Sequence, residues 1–197
     1  MNHSHSGVIG YPFINPGPIG GVPSNSSILP DPELFIRWSQ LATFLPQLHF
    51  LSPPSLYINQ VIGDNNQTFS PIRDRLRDIK VKTVNPLLLK FMTEAMETSL
   101  PLIRPLWMFN PNDEQCQVIN DQFMVGDRLL VAPILQPGVR RRNVFLPSHP
   151  DGSKITWKRG TDGQYQEAGK WDIDIHVSLK EVLFYELQDE GKRPGLN

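Results

Sequence analysis

The sequence predicts two structural units, an α/β unit followed by an all-β unit. Helical patterns and a short apolar strand fill the first half, an order typical of a βα barrel or an open sheet near its end. Short strands separated by turn signals fill the second half, as in a β-sandwich. Proline, at 19 of 197 residues, argues against a helical bundle, because each internal proline destabilises a helix by about 3 kcal/mol.

Charge is distributed unevenly along the chain. Among residues 1–60 only Asp31, Glu33 and Arg37 are charged. The surface of a soluble domain is normally rich in charged side chains. This segment is therefore predicted to form the interior or the active-site rim of something larger.

The first predicted helix begins at Asp31. Asp31 can cap it, Pro32 fits the first helical position, and Glu33 favours the positive end of the helix dipole. Pro46 is expected to end it. The apolar residues between repeat at helical spacing: Leu34, Phe35, Trp38, Leu41, Ala42 and Leu45.

Two further helices and a strand complete the predicted α/β unit. The first opens at Ser70, with Ile72, Leu76 and Ile79 facing inward. The second opens at Asn85, and residues 102–107 then form a short buried strand. The inward residues of the second helix are expected to be Leu88, Leu89, Met92, Ala95 and Met96.

The all-β unit is predicted to follow residue 112. A short helix over residues 113–120 precedes strands near residues 122–125, 128–134, 142–146, 154–158, 171–177 and 181–187. The predicted units are therefore the last barrel segments at 1–112 and a sandwich at 113–190. Residues 191–197 are expected to be a disordered tail.

Composition argues against several partners. The 19 Lys and Arg residues against 20 Asp and Glu residues give a formal net charge of −1, whereas nucleic-acid and membrane-surface proteins need a basic face. The sequence therefore predicts no nucleic-acid partner. It also predicts no membrane segment and, from residues 1–13, no signal peptide. Sequons at Asn2, Asn25 and Asn66 permit glycosylation in a secretory setting. The full-length protein is expected to be secretory or extracellular.

The sequence predicts neither a metal site nor a bound cofactor. Cys116 is the sole cysteine, which excludes an intrachain disulfide and a zinc site on paired cysteines. Asp172, Asp174 and His176 alternate along one predicted strand and could bind a metal ion. The favoured interpretation is a solvated strand face, because alternation alone predicts it. Its inward residues would be Trp171, Ile173, Ile175 and Val177.

Other charged and aromatic residues have structural and functional interpretations. Residues 140–142 form a basic run that could contact an anion, although a solvated turn is favoured. Arg37, on an apolar helix, needs a partner and is expected to brace a neighbouring loop. His49 is either structural or a sugar contact. Trp107 is either core or a wall for a sugar ring.

Four segments in order resemble one family. They are GYPFINPGPIGG at residues 10–21, PELFIRWSQLATFLP at 32–46, PLIRPLW at 101–107 and DQFMVGDRLLVAPILQPG at 121–138. Together they are similar to the C-terminal part of glycoside hydrolases of family 31, and within it to the myogenesis-regulating glycosidase subgroup. The resemblance covers residues 7–187, and the runs GDxLLVAPxxxxG and ELxxRW are its specific parts.

The resemblance implies a fold and a chemistry. The family has a (β/α)8 TIM barrel followed by β-sandwich domains, so this chain would hold a C-terminal barrel remnant and the proximal sandwich. The family hydrolyses O-glycosyl bonds with retention, using two aspartates that must stand about 5–5.5 Å apart. In the family, both aspartates precede the segment that residues 10–13 of this chain resemble. The chain is therefore expected to hold no catalytic residue and to lack its N-terminal barrel half.

Two positions depart from the family pattern and bear on the sugar site. Where relatives have an aspartate after the seventh strand, this chain reads NPGP at residues 15–18, with Gly17 at that position. The family's sugar-binding histidine follows a Phe-x-Pro motif, and here His49 lies about two positions early, with Leu51 in the usual place. The resemblance therefore offers Asn15, His49 and Trp107 as substrate contacts.

Two functions remain open from the sequence. The first is a C-terminal fragment of a retaining α-glycosidase of the α-glucosidase or α-galactosidase type, inactive as an isolated chain and acting on a carbohydrate substrate. The second is a non-catalytic pseudoenzyme or a carbohydrate-binding or interaction module. The charge-poor start favours the first, and Gly17 at the aspartate position favours lost catalysis.

Overall fold

In a computed structural model of the chain, the structure describes residue 13 and residues 17–21, 31–51, 53–57 and 69–189. The helices are α1 (Pro32–Ala42), α2 (Phe69–Ile79), α3 (Asn85–Thr98), α4 (Leu106–Phe109) and α5 (Glu114–Val118), with a 3₁₀ turn at Pro54–Tyr57. None of the helices in this described part is long and apolar enough to cross a membrane.

The second half of the chain consists mainly of antiparallel strands, as predicted. One sheet has six strands in the order β1-β2-β3-β8-β5-β6, and the other pairs β4 with β7. The strands are β1 (Ile103–Pro105), β2 (Phe123–Val125), β3 (Leu129–Val131), β4 (Arg141–Leu146), β5 (Ile155–Arg159), β6 (Tyr165–Glu167), β7 (Lys170–His176) and β8 (Phe184–Asp189).

Strand β1 lies in this antiparallel sheet and not in an α/β unit. Its residue Ile103 pairs with Val125 and Pro105 pairs with Phe123. The assignment of this strand to a barrel was therefore wrong, because local sequence cannot specify which strand a short apolar run will pair with. The boundary at residue 112 stays a prediction, and β1 links the two predicted parts.

The six-stranded sheet is covered on both faces. Leu129 and Val131 of β3 pack into one core with the helices, whereas Leu130 between them packs into a second core with β4 and β7. On β8, Phe184 and Tyr185 divide in the same way. Successive side chains of a strand point to opposite faces. The unbroken apolar run of β3 is thus explained by burial on both sides.

The cap of α1 is as predicted, but its buried face differs. The Asp31 carboxylate accepts a hydrogen bond from the backbone N–H of Leu34 at 3.0 Å, with Pro32 in the first turn. Phe35 and Ile36 are fully buried, whereas Leu34 is 48% exposed. The core therefore covers only part of the apolar surface of α1, and Leu34 lies outside the covered part.

Helices α2 and α3 begin at or next to the predicted residues, Ser70 and Asn85, but no break separates them, so residues 69–98 form one continuous helical rod. A π-turn at Lys80–Val84 joins them, and the N–H of Asn85 donates to the carbonyl of Lys80. Proline cannot donate a helical hydrogen bond, and its ring crowds the preceding turn. The wider π-turn immediately before Pro86 accommodates that ring without ending the helix.

The inward face predicted for α3 was partly wrong. Leu88 and Ala95 are buried, together with Phe91, which the sequence interpretation omitted. Leu89 is 67% exposed and Met96 is 72% exposed. Residues at both sets of positions repeat at helical spacing, and only the position of the sheet decides between them.

Candidate functional site

A parallel bridge joins two segments on either side of α1. Ile19 pairs with Phe50, and the N–H of Ile19 donates to the carbonyl of His49 at 2.7 Å. Parallel neighbours connected through a helix form a βαβ arrangement. The His49 side chain is exposed beside this bridge. An exposed imidazole there can exchange hydrogen bonds with a ligand hydroxyl.

An aromatic cluster holds the segment after His49 in place. Phe35 of α1 stacks on Tyr57 with ring centroids 4.0 Å apart and 13° between planes, and it contacts Phe50 at 6.0 Å and Phe69 at 5.4 Å. Burial, with a smaller effect of the Asp31 carboxylate, raises the pKa of Tyr57. These rings pack the backbone around the bridge against α1.

The structure places the three predicted sugar contacts in different ways. Asn15 lies outside the described residues, whereas Gly17 is described and contributes no side chain. Trp107 is 40% exposed on α4, whose Leu106 is buried in the second core. Within the described part of the chain, no hydrogen bond or ring contact joins Trp107 to His49.

Arg37 joins α1 to the antiparallel sheets, as expected from its apolar surroundings. Its guanidinium, 7% exposed, donates to Gln40 at 3.0 Å and to the carbonyls of Val139, Val177 and Ser178 at 3.3 Å each. The prediction that it braces a neighbouring loop is confirmed, and it braces two. Burial lowers the pKa of Arg37 to about 10, so the guanidinium stays charged at neutral pH.

Glu33 extends the same joint and was assigned only a dipole role from the sequence. Its carboxylate accepts hydrogen bonds from the N–H of Gly138 at 3.2 and 3.3 Å and pairs with Arg140. Burial opposes ionisation of Glu33, but the bonds from Arg140 and Gly138 outweigh it and lower the pKa. Two of the three charged residues among residues 1–60, Glu33 and Arg37, thus bond to segments next to the later strands.

The three arginines at residues 140–142 fit the favoured solvated turn only in part, since the Arg141 side chain is 59% exposed. Arg140 pairs with Glu33 and Arg141 pairs with Asp174. The side chain of Arg142 is only 10% exposed, donates to the carbonyl of Pro133 and pairs with Asp121 at 3.0 Å. Each guanidinium therefore has a partner within the protein.

The side-chain alternation predicted for β7 is confirmed at its C-terminal end, where Ile175 and Val177 are buried, and was wrong for the residues before it. Ile173 is 68% exposed and Trp171 is 45% exposed, whereas Ile175 is buried. A register shift on β4 and a φ of 53° at Asp174 mark a bulge, where Asn143 accepts a hydrogen bond from the Asp174 N–H at 2.8 Å. One extra residue exchanges the two faces of a strand.

The bulge turns Asp172 inward, away from the solvent that it was predicted to face. Its carboxylate accepts hydrogen bonds from Arg159 at 2.6 Å and from the hydroxyl of Tyr185 at 2.8 Å, and is 11% exposed. Burial and the Asp172 carboxylate raise the pKa of Tyr185. This network ties β7 to the six-stranded sheet. Among the described residues, no three His, Cys, Asp or Glu side chains are grouped to hold a metal ion.

Replacing Asp172 by asparagine is expected to lower the free energy of unfolding by about 2–3 kcal/mol, because a buried guanidinium and hydroxyl lose their charged acceptor. Denaturant unfolding measures the loss. Asp174→Asn is the matched control, since Asp174 is 70% exposed and exposed ion pairs contribute about 0–1 kcal/mol. Equal losses for the two variants would contradict a structural role specific to Asp172.

Several known proteins resemble this chain. Residues 99–186 match the model of the glycosyl hydrolase family 31 C-terminal domain. The chain is similar to the myogenesis-regulating glycosidase of Mus musculus, with 38% identity over 185 residues, covering 90% of this chain and 24% of that one. It is also similar to the SITS-binding protein of Tetronarce californica, with 33% identity over 199 residues, covering 98% and 26%.

A solved structure resembles most of the fold. The family 31 α-xylosidase from a soil metagenome, solved in complex with xylose, is 26% identical with a TM-score of 0.71 and covers 93% of this chain and 29% of its own. The chain thus spans about a quarter of the length of the curated relatives above.

Proposed function

Because this chain belongs to glycoside hydrolase family 31, we propose that it is the C-terminal portion of a retaining α-glycosidase that acts on a carbohydrate. The observation that carries the proposal is the 38% identity to a relative named as a glycosidase, which extends over 90% of this chain. The match is not confined to the sheets, because it includes the segment with α1 and His49.

In this proposal the chain supports chemistry performed elsewhere in the barrel. Retaining hydrolysis needs a nucleophile and an acid/base carboxyl about 5–5.5 Å apart across the scissile bond. The family resemblance puts both aspartates before residue 10. The residues proposed to touch the sugar are Asn15, His49 and Trp107. For His49 the support is an exposed imidazole beside the parallel bridge.

The parallel bridge supports the proposed barrel remnant. Ile19 and Phe50 pair in parallel across a segment that contains α1, and (β/α)8 barrels repeat this unit eight times. We propose that residues 1–112, apart from β1, carry this arc, and that β1 and residues 113–190 form the sandwich. Glu33 and Arg37 then fix the arc to the sandwich.

A non-catalytic binding role is the second candidate. One relative, 33% identical over 98% of this chain, is named for binding and not for hydrolysis. Gly17, at the position of the family aspartate, points the same way. In this alternative the exposed His49 contacts a sugar without turnover.

The purified 197-residue chain is expected to hydrolyse no aryl α-glycoside, because an oxocarbenium-like transition state needs both a proton donor and a covalent partner. The assay compares chromophore release with that of a heat-killed sample, using the metagenomic α-xylosidase as the positive control. Measurable release by the chain alone would contradict the fragment proposal.

Ligand titration separates the two candidates. Saturable glycoside binding without turnover that is lost in His49→Ala supports a binding module. The matched control is His176→Ala, since His176 is also exposed but lies on β7. Absence of binding by the isolated chain favours the fragment.

A further inference from the structure

The side of the six-stranded sheet that packs on the helices becomes polar beyond Phe184. Phe184 of β8 is buried in the core that the sheet shares with the helices. Glu186 and Gln188 follow on the same side of β8 and are only partly buried. On the opposite side of β8, Tyr185 and Leu187 both stay in the second core. The end of the sheet that β8, β5 and β6 form therefore presents a polar surface beside the helical layer.

Six side chains form two rows across these three strands, with one residue from each strand in each row. The polar sheet face, as we call it, consists of Glu186, Lys158 and Tyr165 in the first row and Gln188, Thr156 and Glu167 in the second. Directly paired residues of neighbouring strands point to the same side of a sheet. Because neighbouring strands lie about 4.8 Å apart, each row is about 10 Å long, comparable with a disaccharide.

Tyr165 supplies an aromatic ring at the outer end of the first row. It is 47% exposed, and its strand β6 is joined to β5 by a well-bonded hairpin. In that hairpin the N–H of Arg159 donates to the carbonyl of Gln164 at 2.8 Å, and the Arg159 guanidinium pairs with Asp162 at 2.8 Å. A ring held on a rigid element loses little conformational entropy on binding. It offers an apolar surface for the C–H groups of a sugar and a hydroxyl for its polar groups.

The charges on the polar sheet face are balanced, which favours an uncharged ligand. Lys158 and Glu186 are direct cross-strand neighbours of opposite sign, and Glu167 pairs with Lys170. A nucleic acid or an anionic membrane requires a surplus of positive charge. A protein partner requires an apolar centre, whereas five of the six side chains here are polar or charged. Closely spaced donors and acceptors instead match sugar hydroxyls, each of which both donates and accepts.

Thr156, at the centre of the second row, has a hydroxyl without a partner. It is 7% exposed, and its Oγ1 makes no hydrogen bond in the described part of the chain. Buried polar groups are normally hydrogen-bonded, because an unpaired one is unfavourable. The residues on either side of it, Gln188 and Glu167, have long side chains, and that of Glu167 is 74% exposed. Movement of these side chains would open the Thr156 hydroxyl to a ligand on the sheet, which would supply the missing partner.

We propose that the polar sheet face binds a neutral α-linked oligosaccharide. This rests on the proposed function, namely that the chain acts on a carbohydrate. Tyr165 stacks on one sugar ring, and the other side chains of the two rows exchange hydrogen bonds with the hydroxyls of the next. The face shares no residue with the contacts proposed at Asn15, His49 and Trp107. All six of its residues come from the antiparallel sheet, so the 197-residue chain holds the whole binding surface.

Titration of the 197-residue chain with maltohexaose and with isomaltohexaose tests this site. Calorimetry measures the affinity, and backbone amide chemical shifts locate the bound sugar. Saturable binding of at least one hexaose is expected, with a Kd of about 1 mM or lower. The shifts should centre on residues 156–167 and 186–188. Glucose should bind about tenfold more weakly or worse, because a single ring cannot extend along a row.

Tyr165→Ala should weaken the binding by about tenfold or more, because the stacked ring is lost. Tyr165→Phe keeps the ring and should stay within about threefold of the unchanged chain. The matched control is Trp171→Ala, which removes an aromatic side chain of a residue that is 45% exposed in the other sheet. The control should leave the affinity unchanged.

Thr156→Val distinguishes a ligand contact from a purely structural residue. It removes a buried hydroxyl that has no partner among the described residues, so the free chain should not be destabilised. The affinity for the hexaose should nevertheless fall by about threefold or more, because the ligand loses a hydrogen bond. Denaturant unfolding and calorimetry measure the two effects separately.

Several results would overturn the oligosaccharide site. These are no binding of either hexaose, unchanged affinity in Tyr165→Ala or Thr156→Val, an equal loss in Trp171→Ala, or shifts that centre on residues 47–51 and vanish in His49→Ala. The proposed function is judged separately, by hydrolysis of aryl α-glycosides by the full-length protein. Binding by the chain without that hydrolysis leaves this site in place and removes the glycosidase, whereas hydrolysis without binding removes only this site.

Discussion

Replacing Gly126 by alanine is expected to lower the free energy of unfolding by about 3 kcal/mol or more. Gly126 has a φ of 56°, a region that L side chains rarely adopt, and its N–H donates to the carbonyl of Leu102 at 2.8 Å. A Cβ added there would lie 2.0–2.3 Å from ring atoms of Phe91. Backbone strain and steric overlap therefore act together.

Gly138→Ala separates the two contributions to this loss. Gly138 has a φ of 75°, but a Cβ there would meet no atom within 4 Å. Its loss should be about 1–2 kcal/mol, the cost of a left-handed backbone alone. Combining Gly126→Ala with Phe91→Ala should give a smaller loss than the sum of the two single variants, because the overlap disappears. Denaturant unfolding measures the free energy of unfolding of the three single variants, the double variant and the unchanged chain. Equal losses for the two glycine variants would refute the packing argument.

Arg37→Met should lower the free energy of unfolding by about 2–4 kcal/mol, because removing one member of a buried charged network leaves its partners unsatisfied. Methionine keeps the apolar volume of the side chain and removes the donors. The carbonyls of Val139, Val177 and Ser178 would each lose a hydrogen bond. The same variant should release α1 from the sheets.

Arg73→Met is the matched control for Arg37. Arg73 also pairs with a carboxylate, that of Asp74 at 2.9 Å, but its side chain is 44% exposed. Solvated pairs of this kind contribute about 0–1 kcal/mol. Faster hydrogen exchange in α1 of Arg37→Met, with unchanged exchange in α2, would locate the effect at the joint. A loss for Arg37→Met no larger than that of the control would exclude a structural role for the buried guanidinium.

The specific motifs of the family resemblance acquire a physical meaning from these contacts. In the ELxxRW run, Glu33 and Arg37 bond to segments that flank the later strands, and Trp38 packs against the core that the helices share with the sheet. In the GDxLLVAP run, Gly126 permits the close approach of Phe91, and residues 129–131 form a strand buried on both faces. Both runs therefore join the helices to the antiparallel sheet.

The sequence by itself determined the local features of this protein. The Asp31 cap, the short helix after Asp113 and the approximate position of most strands depend on residues close together in the chain. The need of Arg37 for a partner was also predictable from its side chain alone, because a charge on an apolar helix requires hydrogen-bond or ionic partners. The family was likewise evident from ordered motifs.

Only the tertiary structure decided which surfaces meet. Periodicity is equally consistent with Leu88 or Leu89 facing the sheet, and alternation along β7 cannot anticipate a bulge that brings Asp172 inward. The pairing of Ile103 with Val125 and the contact of Gly126 with Phe91 join residues distant in sequence. Such choices depend on the free energy of burying one surface against another, which no local pattern contains.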